Sequence, residues 1–211
     1  LKNLVMILGS FVFYSWGEIR FIPILVLLSV IDYFNGRMME KYDEKPKLRK
    51  IFMIFSVVIN VFVLCFFKYT NFLVSNIGLL FGLGEIETNI MLPIGISFNT
   101  FQEISYAVDV YRRRTKPEKS YYNYLTFTTL FPQIVAGPIV RYTTVGDDLS
   151  EHNITLDNFS KGIFRFIRGL AKKVLIANNI GAFWNSVVSG KIGEMSVLLY
   201  WLGILAYTFQ I

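Results

Sequence analysis

Apolar positions gather into long charge-free runs instead of recurring at the helical or strand period that leaves one face for water. A helix that crosses a bilayer needs about 20 mostly apolar residues, and several runs approach that length. Residues 3–17 carry no charge, and residues 21–31 continue after Gly17-Glu18-Ile19-Arg20, which predicts a hairpin of two membrane segments. A soluble loop is expected at 37–50, where Arg37, Lys41, Lys45, Lys47, Arg49 and Lys50 outnumber Glu40, Asp43 and Glu44 and mark the cytoplasmic side. Residues 51–67 form the next span. Lys68-Tyr69 then interrupts a region that stays apolar to about Leu83, and either one long tilted helix or a broken pair fits. The 82–89 turn holds Glu85 and Glu87 without Lys or Arg, so it belongs outside. Residues 90–110 return to the cytoplasm at Arg112, Arg113, Arg114, Lys116 and Lys119.

Residues 120–140 make the longest charge-free run, yet they contain Pro132, Gly137 and Pro138 and are followed by a strongly basic stretch. A full crossing would put that stretch outside, against the positive-inside rule. A re-entrant segment resolves the conflict, and broken backbone at membrane depth must be buried in protein or line a wet cavity. In residues 158–173, Lys161, Arg165, Arg168 and Lys172 share one helical face, opposite Phe159, Ile163, Phe166, Ile167 and Leu170. This predicts an amphipathic helix in the cytoplasmic interface, with a helix packed on the protein as the alternative. Residues 174–190 and 195–211 complete a last pair of membrane segments.

Composition agrees with this layout. With 54% hydrophobic and 17% charged residues among 211, and a mean hydropathy of +0.48, the chain has more apolar surface than one soluble core hides. The expected class is an all-α polytopic membrane protein, with the lipid bilayer as its first partner. The net charge of +6 sits in clusters between apolar runs, which suits lipid headgroups and excludes nucleic acid as a partner. Cys65, the single cysteine, is expected to be a small buried hydrophobe. Gly78 and Gly82 suggest a site of close helix packing. No signal peptide is visible, and both ends look cut, so the chain reads as a fragment of a larger membrane domain.

Recognisable catalytic chemistry is sparse. His152, the only histidine, stands in an acidic polar stretch and reads as a solvated loop residue. No metal-ligand spacing, no nucleophile elbow and no Gly-rich phosphate loop occurs, since residues 95–99 lack the closing glycine. No cofactor is expected. The polar residues inside the apolar runs say more. Asn99, Gln102, Glu103, Tyr106 and Asp109 recur at three- and four-residue spacing and gather on one side of a helix. A charged group at mid-bilayer costs about 2.5–3.5 kcal/mol on insertion scales, so Glu103 faces protein or a wet cavity. The stripe is either a buried hydrogen-bonding network, with Asp109 paired to the nearby arginines, or the wall of a polar path.

Two stretches carry a resemblance. Residues 92–106, Leu-Pro-Ile-Gly-Ile-Ser-Phe-Asn-Thr-Phe-Gln-Glu-Ile-Ser-Tyr, running into 108–112, resemble a signature of membrane-bound O-acyltransferases of the bacterial alginate O-acetylase type. Residues 131–142, Phe-Pro-Gln-Ile-Val-Ala-Gly-Pro-Ile-Val-Arg-Tyr, resemble a second. Weaker matches are Phe67-Lys68-Tyr69 with Asn71-Phe72, and residues 169–178. The resemblance implies a multi-pass enzyme of the bacterial inner membrane, the chain being the N-terminal portion of its membrane domain. It implies transfer of an acyl group, usually acetyl, from a cytoplasmic acyl-CoA or acyl-carrier thioester toward a hydroxyl of an extracytoplasmic polysaccharide, directly or through a partner acetyltransferase. A membrane-embedded histidine serves as the base in that family; it is expected beyond Ile211, and His152 does not take its role. Gln133, Gly137, Pro138 and Arg141 match the second motif and are the expected tunnel wall or mouth, together with Asn99, Gln102, Glu103 and Tyr106. Arg112, Arg113, Arg114 and Lys172 are candidates to attract the anionic donor, their other role being to set topology. A transporter or flippase, and a non-catalytic scaffold, are the rival classes.

Overall fold

The computed structural model describes residues 2–82, 84, 88, 90–134, 139–151, 155–190 and 196–211. Helix is the regular structure found among these residues. The chain forms two compact units, Leu1–His152 and Asn153–Ile211.

In the first unit, α1 (Lys2–Glu18) and α2 (Ile22–Lys41) are joined by one 3-10 turn, Ile19–Phe21, at the position where the sequence predicts a turn between two apolar segments. Pro23 lies in the first turn of α2, where a missing N–H removes no intrahelical bond. The loop expected at 37–50 is much shorter, because α2 runs to Lys41 and α3 (Pro46–Leu80) begins at Pro46. Charge does not end α2: Arg37 and Glu40 pair across one turn of it.

Helix α3 settles the ambiguity at Lys68. It is one unbroken helix of 35 residues, about 52 Å long at 1.5 Å per residue. Lys68 is exposed and leaves the backbone ladder intact. The segments Ile19–Lys41 and Pro46–Leu80 are both long and apolar enough to cross a membrane. Much of the surface of α3 is apolar, with Ile54, Phe55, Val58 and Phe62 exposed. Cys65 is exposed with them and is not the buried hydrophobe expected. Gly78 is buried, but Gly82 lies past the end of α3 at φ 71°, so the two do not share a packing stripe.

The run expected to cross at 90–110 is divided. Gly95 takes φ 79° and caps α4 (Ile96–Tyr111), which has 16 residues. That is about 24 Å of helix, less than the roughly 30 Å hydrocarbon core. The 120–140 run is broken as well, into α5 (Tyr121–Thr129) and α6 (Phe131–Ile134), separated by Leu130 in extended conformation. Nine residues of α5 reach only about 13 Å, so the longest charge-free run does not cross as one helix. Then follows α7 (Tyr142–Ser150). Helices α2, α3 and α4 pack on one another, and α5 packs on α1, α2 and α7. Met39, Tyr106, Val110, Tyr124, Phe127 and Tyr142 make the core. Its rings meet at centroid distances of 4.7 Å (Tyr106–Tyr124) and 5.1 Å (Phe127–Tyr142).

In the second unit, α8 (Leu156–Ala171), a π-helical stretch Lys172–Ala177 and α9 (Asn178–Val188) follow without a break. The Thr155 hydroxyl accepts the Asn158 N–H at 3.1 Å and caps α8. No residue of α8 is buried, and Phe159, Ile163, Phe166, Ile167 and Leu170 are all exposed on the predicted apolar face. Helix α10 (Val197–Gln210) packs on α9. The contact is close because Gly203 faces Val187: a Cβ on Gly203 would lie 2.9 Å from a Val187 methyl.

Candidate functional site

The polar face of α4 is buried as its spacing predicts. Asn99, Gln102, Glu103, Tyr106 and Asp109 are each at most 3% exposed. Their surroundings come from α2, α3 and α5. Asp32 of α2 accepts hydrogen bonds from the Ser56 hydroxyl and the Asn60 amide of α3, and Glu103 and Asn35 lie beside the same carboxyl. The Glu103 carboxyl faces both Asp32 and Asn99. Two acids, three amides and a serine thus form one buried polar cluster between three helices. Asp32 sits at the edge of an apolar run and Asn60 inside one. Neither stood out, because a single polar residue in a span shows no period until its partners on other helices are known.

The amide of Gln102 joins the two motif-bearing stretches. Its nitrogen donates to the Phe127 carbonyl at 3.2 Å and to the Gln133 side-chain oxygen at 3.2 Å. The Phe131 N–H, at the break between α5 and α6, donates to the Ser10 hydroxyl of α1 at 3.3 Å, and Ser10 is fully buried. Side chains from α1 and α4 therefore take up backbone groups that the break leaves unpaired, as irregular backbone in an apolar setting requires. Arg141 stands apart from this cluster as an exposed residue at the start of α7. Gly137, Pro138 and His152 lie outside the described residues, as do Glu85 and Glu87.

The basic stretch after α4 is held by specific contacts. Asp109 pairs with Arg114 at 3.6 Å, one of its two expected roles. Arg113 takes φ 57° and pairs with Asp43 at 3.2 Å. Arg49 is buried, pairs with Asp43 at 3.0 Å, and donates to the carbonyls of Val110 and Tyr111, closing the C-terminus of α4. Arg112 is exposed. Glu118 organises the rest: its carboxylate accepts the N–H groups of Lys119 and Ser120 at 2.8 Å and the Tyr142 hydroxyl, while its own N–H donates to the Tyr106 hydroxyl at 3.0 Å. Burial first, then Glu118, raises the Tyr142 phenol above its ordinary range. An open cleft of about 540 Å³ beside this loop is lined by Arg113, Arg114, Lys116 and Lys119. Lys172 is exposed in the second unit, at the start of the π-helical stretch. Among the described residues no three His, Cys, Asp or Glu side chains come together as a metal site needs.

Such an arrangement offers a buried polar surface inside an apolar bundle, braced against a broken helix, with a basic loop at one end. The chain is 34% identical over 217 residues to probable alginate O-acetylase AlgI of Pseudomonas aeruginosa, covering 100% of this chain and 41% of the relative. It is 33% identical to probable alginate O-acetylase AlgI of Azotobacter vinelandii, over 100% of this chain and 42% of the relative. With the peptidoglycan O-acetyltransferase of Helicobacter pylori the identity is 29%, over 99% of this chain and 44% of the relative. The chain therefore spans about two fifths of the length of the curated relatives it matches. No family model matches it, and no solved structure matches it.

Proposed function

The chain belongs to the alginate O-acetylase-like membrane-bound O-acyltransferases, and from that premise we propose that it builds part of the path through which an acetyl group crosses to polysaccharide. The donor is a cytoplasmic thioester and the acceptor a hydroxyl of an extracytoplasmic polysaccharide. In the transfer the hydroxyl oxygen attacks the thioester carbonyl, an ester C–O bond forms and the C–S bond breaks. The hydroxyl proton passes to the departing thiolate through a base. We assign that base to an intramembrane histidine in the part of the relatives that this chain does not match.

Residues of this chain hold the path and keep water away from it. In this reading the protein is a multi-pass inner-membrane protein, α5 and α6 form a re-entrant segment, and α8 lies in the cytoplasmic interface. Asn99, Gln102, Glu103, Tyr106 and Gln133 line the path, with Arg141 toward its mouth. Arg112, Arg113, Arg114 and Lys172 attract the anionic donor, either acyl-CoA or an acyl-carrier thioester. The observation that carries the reading is the Gln102 amide bound to both Phe127 and Gln133, because it sets the buried polar face against the broken segment.

The test is acetyl transfer by the full-length protein in membranes supplied with acetyl thioester and polysaccharide. Gln102→Leu is expected to abolish ester formation while the protein still purifies as a folded monodisperse species. Normal transfer by that variant would overturn the assignment of the path. Transport of glycan without ester formation would favour the flippase class instead.

A further inference from the structure

A cavity of about 610 Å³ lies between α1, the start of α2, Ile94 and Phe131, away from the buried polar cluster. Its volume falls in the roughly 300–1,000 Å³ range of sites that take a small organic ligand, and an acetyl group would use little of it. Phe13, Trp16, Phe21, Ile22 and Leu25 supply most of its apolar wall. The buried polar group among its lining residues is the Tyr14 hydroxyl, which has no hydrogen-bond partner.

Water does not suit such a place, since an ordered water needs two to four polar partners. Apolar wall of this extent left facing water carries a cost that grows with its area. The filler must therefore be apolar, and its source can be read from the mouth. There Trp16 is 92% exposed and Val12 69% exposed, both on α1, which presents apolar side chains outward. Tryptophan at the end of an apolar helix belongs at headgroup level, so the mouth opens toward the acyl region of one leaflet.

We infer that this cavity takes one acyl chain of a bilayer phospholipid, with its headgroup beside Trp16 and its tail reaching Tyr14 and Leu25. The chain then packs on Ile94 and Phe131, which belong to the two stretches that carry the family motifs. The inference needs a membrane around the protein and does not depend on acetyl transfer, so either reading can fail alone.

The experiment uses the full-length protein in vesicles containing a phosphatidylcholine with a photoreactive group along one acyl chain, followed by mapping of the labelled residues. Tyr14 and Leu25 are 7% and 5% exposed, so bulk lipid does not reach them. Label on these two residues is the expected result. Gly9 lines the cavity and a Cβ built on it meets nothing within 4 Å, so Gly9→Leu adds its side chain where the backbone leaves room for one. It should reduce the label on Tyr14 and Leu25 several-fold while leaving Val12 labelled. Val12→Trp narrows the mouth from an exposed position and should have the same effect if Gly9→Leu fails to fold. Label confined to outward residues, or inner label unchanged in a folded variant, overturns the inference.

Discussion

The Gln102 side-chain nitrogen lies 3.2 Å from the Gln133 side-chain oxygen, a bond between residues 31 apart in sequence. Gln102 is nearly fully buried, and the same nitrogen serves the Phe127 carbonyl. Removing it leaves two acceptors without a donor, at a cost of about 1–3 kcal/mol for each buried group. Gln102→Leu and Gln133→Leu should therefore couple. Thermal unfolding of the two single variants and the double variant in detergent is expected to give an interaction energy of about 0.5–3 kcal/mol. Additive losses would show that the contact carries no energy.

Arg49 is a cap as much as an ion-pair partner. Its guanidinium holds the last carbonyls of α4 and the exposed Asp43. Arg49→Ala should lower stability by about 2–4 kcal/mol, mostly through the carbonyls left buried without donors. Arg49→Lys keeps the charge but not the planar fork and should recover less than half of the loss. Equal stability of the Lys variant and the parent would show that charge alone matters.

Asp32 receives the Ser56 hydroxyl and the Asn60 amide while facing Glu103. Asp32→Asn keeps an acceptor and removes one of two facing carboxyls. Asp32→Ala strands both donors. The expected order of folded yield, read by size-exclusion chromatography, is parent and Asp32→Asn together, with Asp32→Ala well below. The reverse order would show that the carboxylate charge is needed for the fold.

Tyr142 supplies a pH test. Burial and the neighbouring Glu118 raise its phenol above the ordinary value near 10. A raised pKa in the fold means that the unfolded chain ionises first. The stability this group contributes is full below about pH 10 and declines as pH rises from there toward the raised value. Melting curves from pH 8 to 11 should fall at the alkaline end, and Tyr142→Phe should flatten that fall while losing about 1 kcal/mol at neutral pH. An unchanged alkaline limb would assign the loss to other tyrosines.

Gly203 and Val187 make a reciprocal test in the second unit. A methyl on Gly203 meets the Val187 side chain at 2.9 Å, so Gly203→Ala should destabilise the α9–α10 pair by about 1–3 kcal/mol. Adding Val187→Ala should restore part of it. A second substitution that only worsens the melt would show that the pair relaxes some other way.

The local patterns were readable in one dimension. Charge-free runs announced the turn after α1 and the middle of α3, and three- and four-residue spacing announced the buried face of α4, because burial periodicity follows from helix geometry alone. The spacing of Phe159, Ile163, Phe166 and Leu170 likewise announced α8. Pro132 and the charge of the stretch that follows announced that the 120–140 run does not cross as one helix, and Ser10 and Gln102, distant in sequence, supply the partners that its broken backbone needs. Lys68 looked like an interruption and is none, since one exposed cation leaves the helical ladder whole. The meeting of Asp32, Ser56, Asn60 and Glu103 depended on the tertiary structure. Ser56 and Asn60 stand one turn apart on α3 and Glu103 lies in the polar stripe of α4, but only the packing of three helices brings them to Asp32 of α2, because a buried polar group finds such partners on another helix and that meeting leaves no period along the chain.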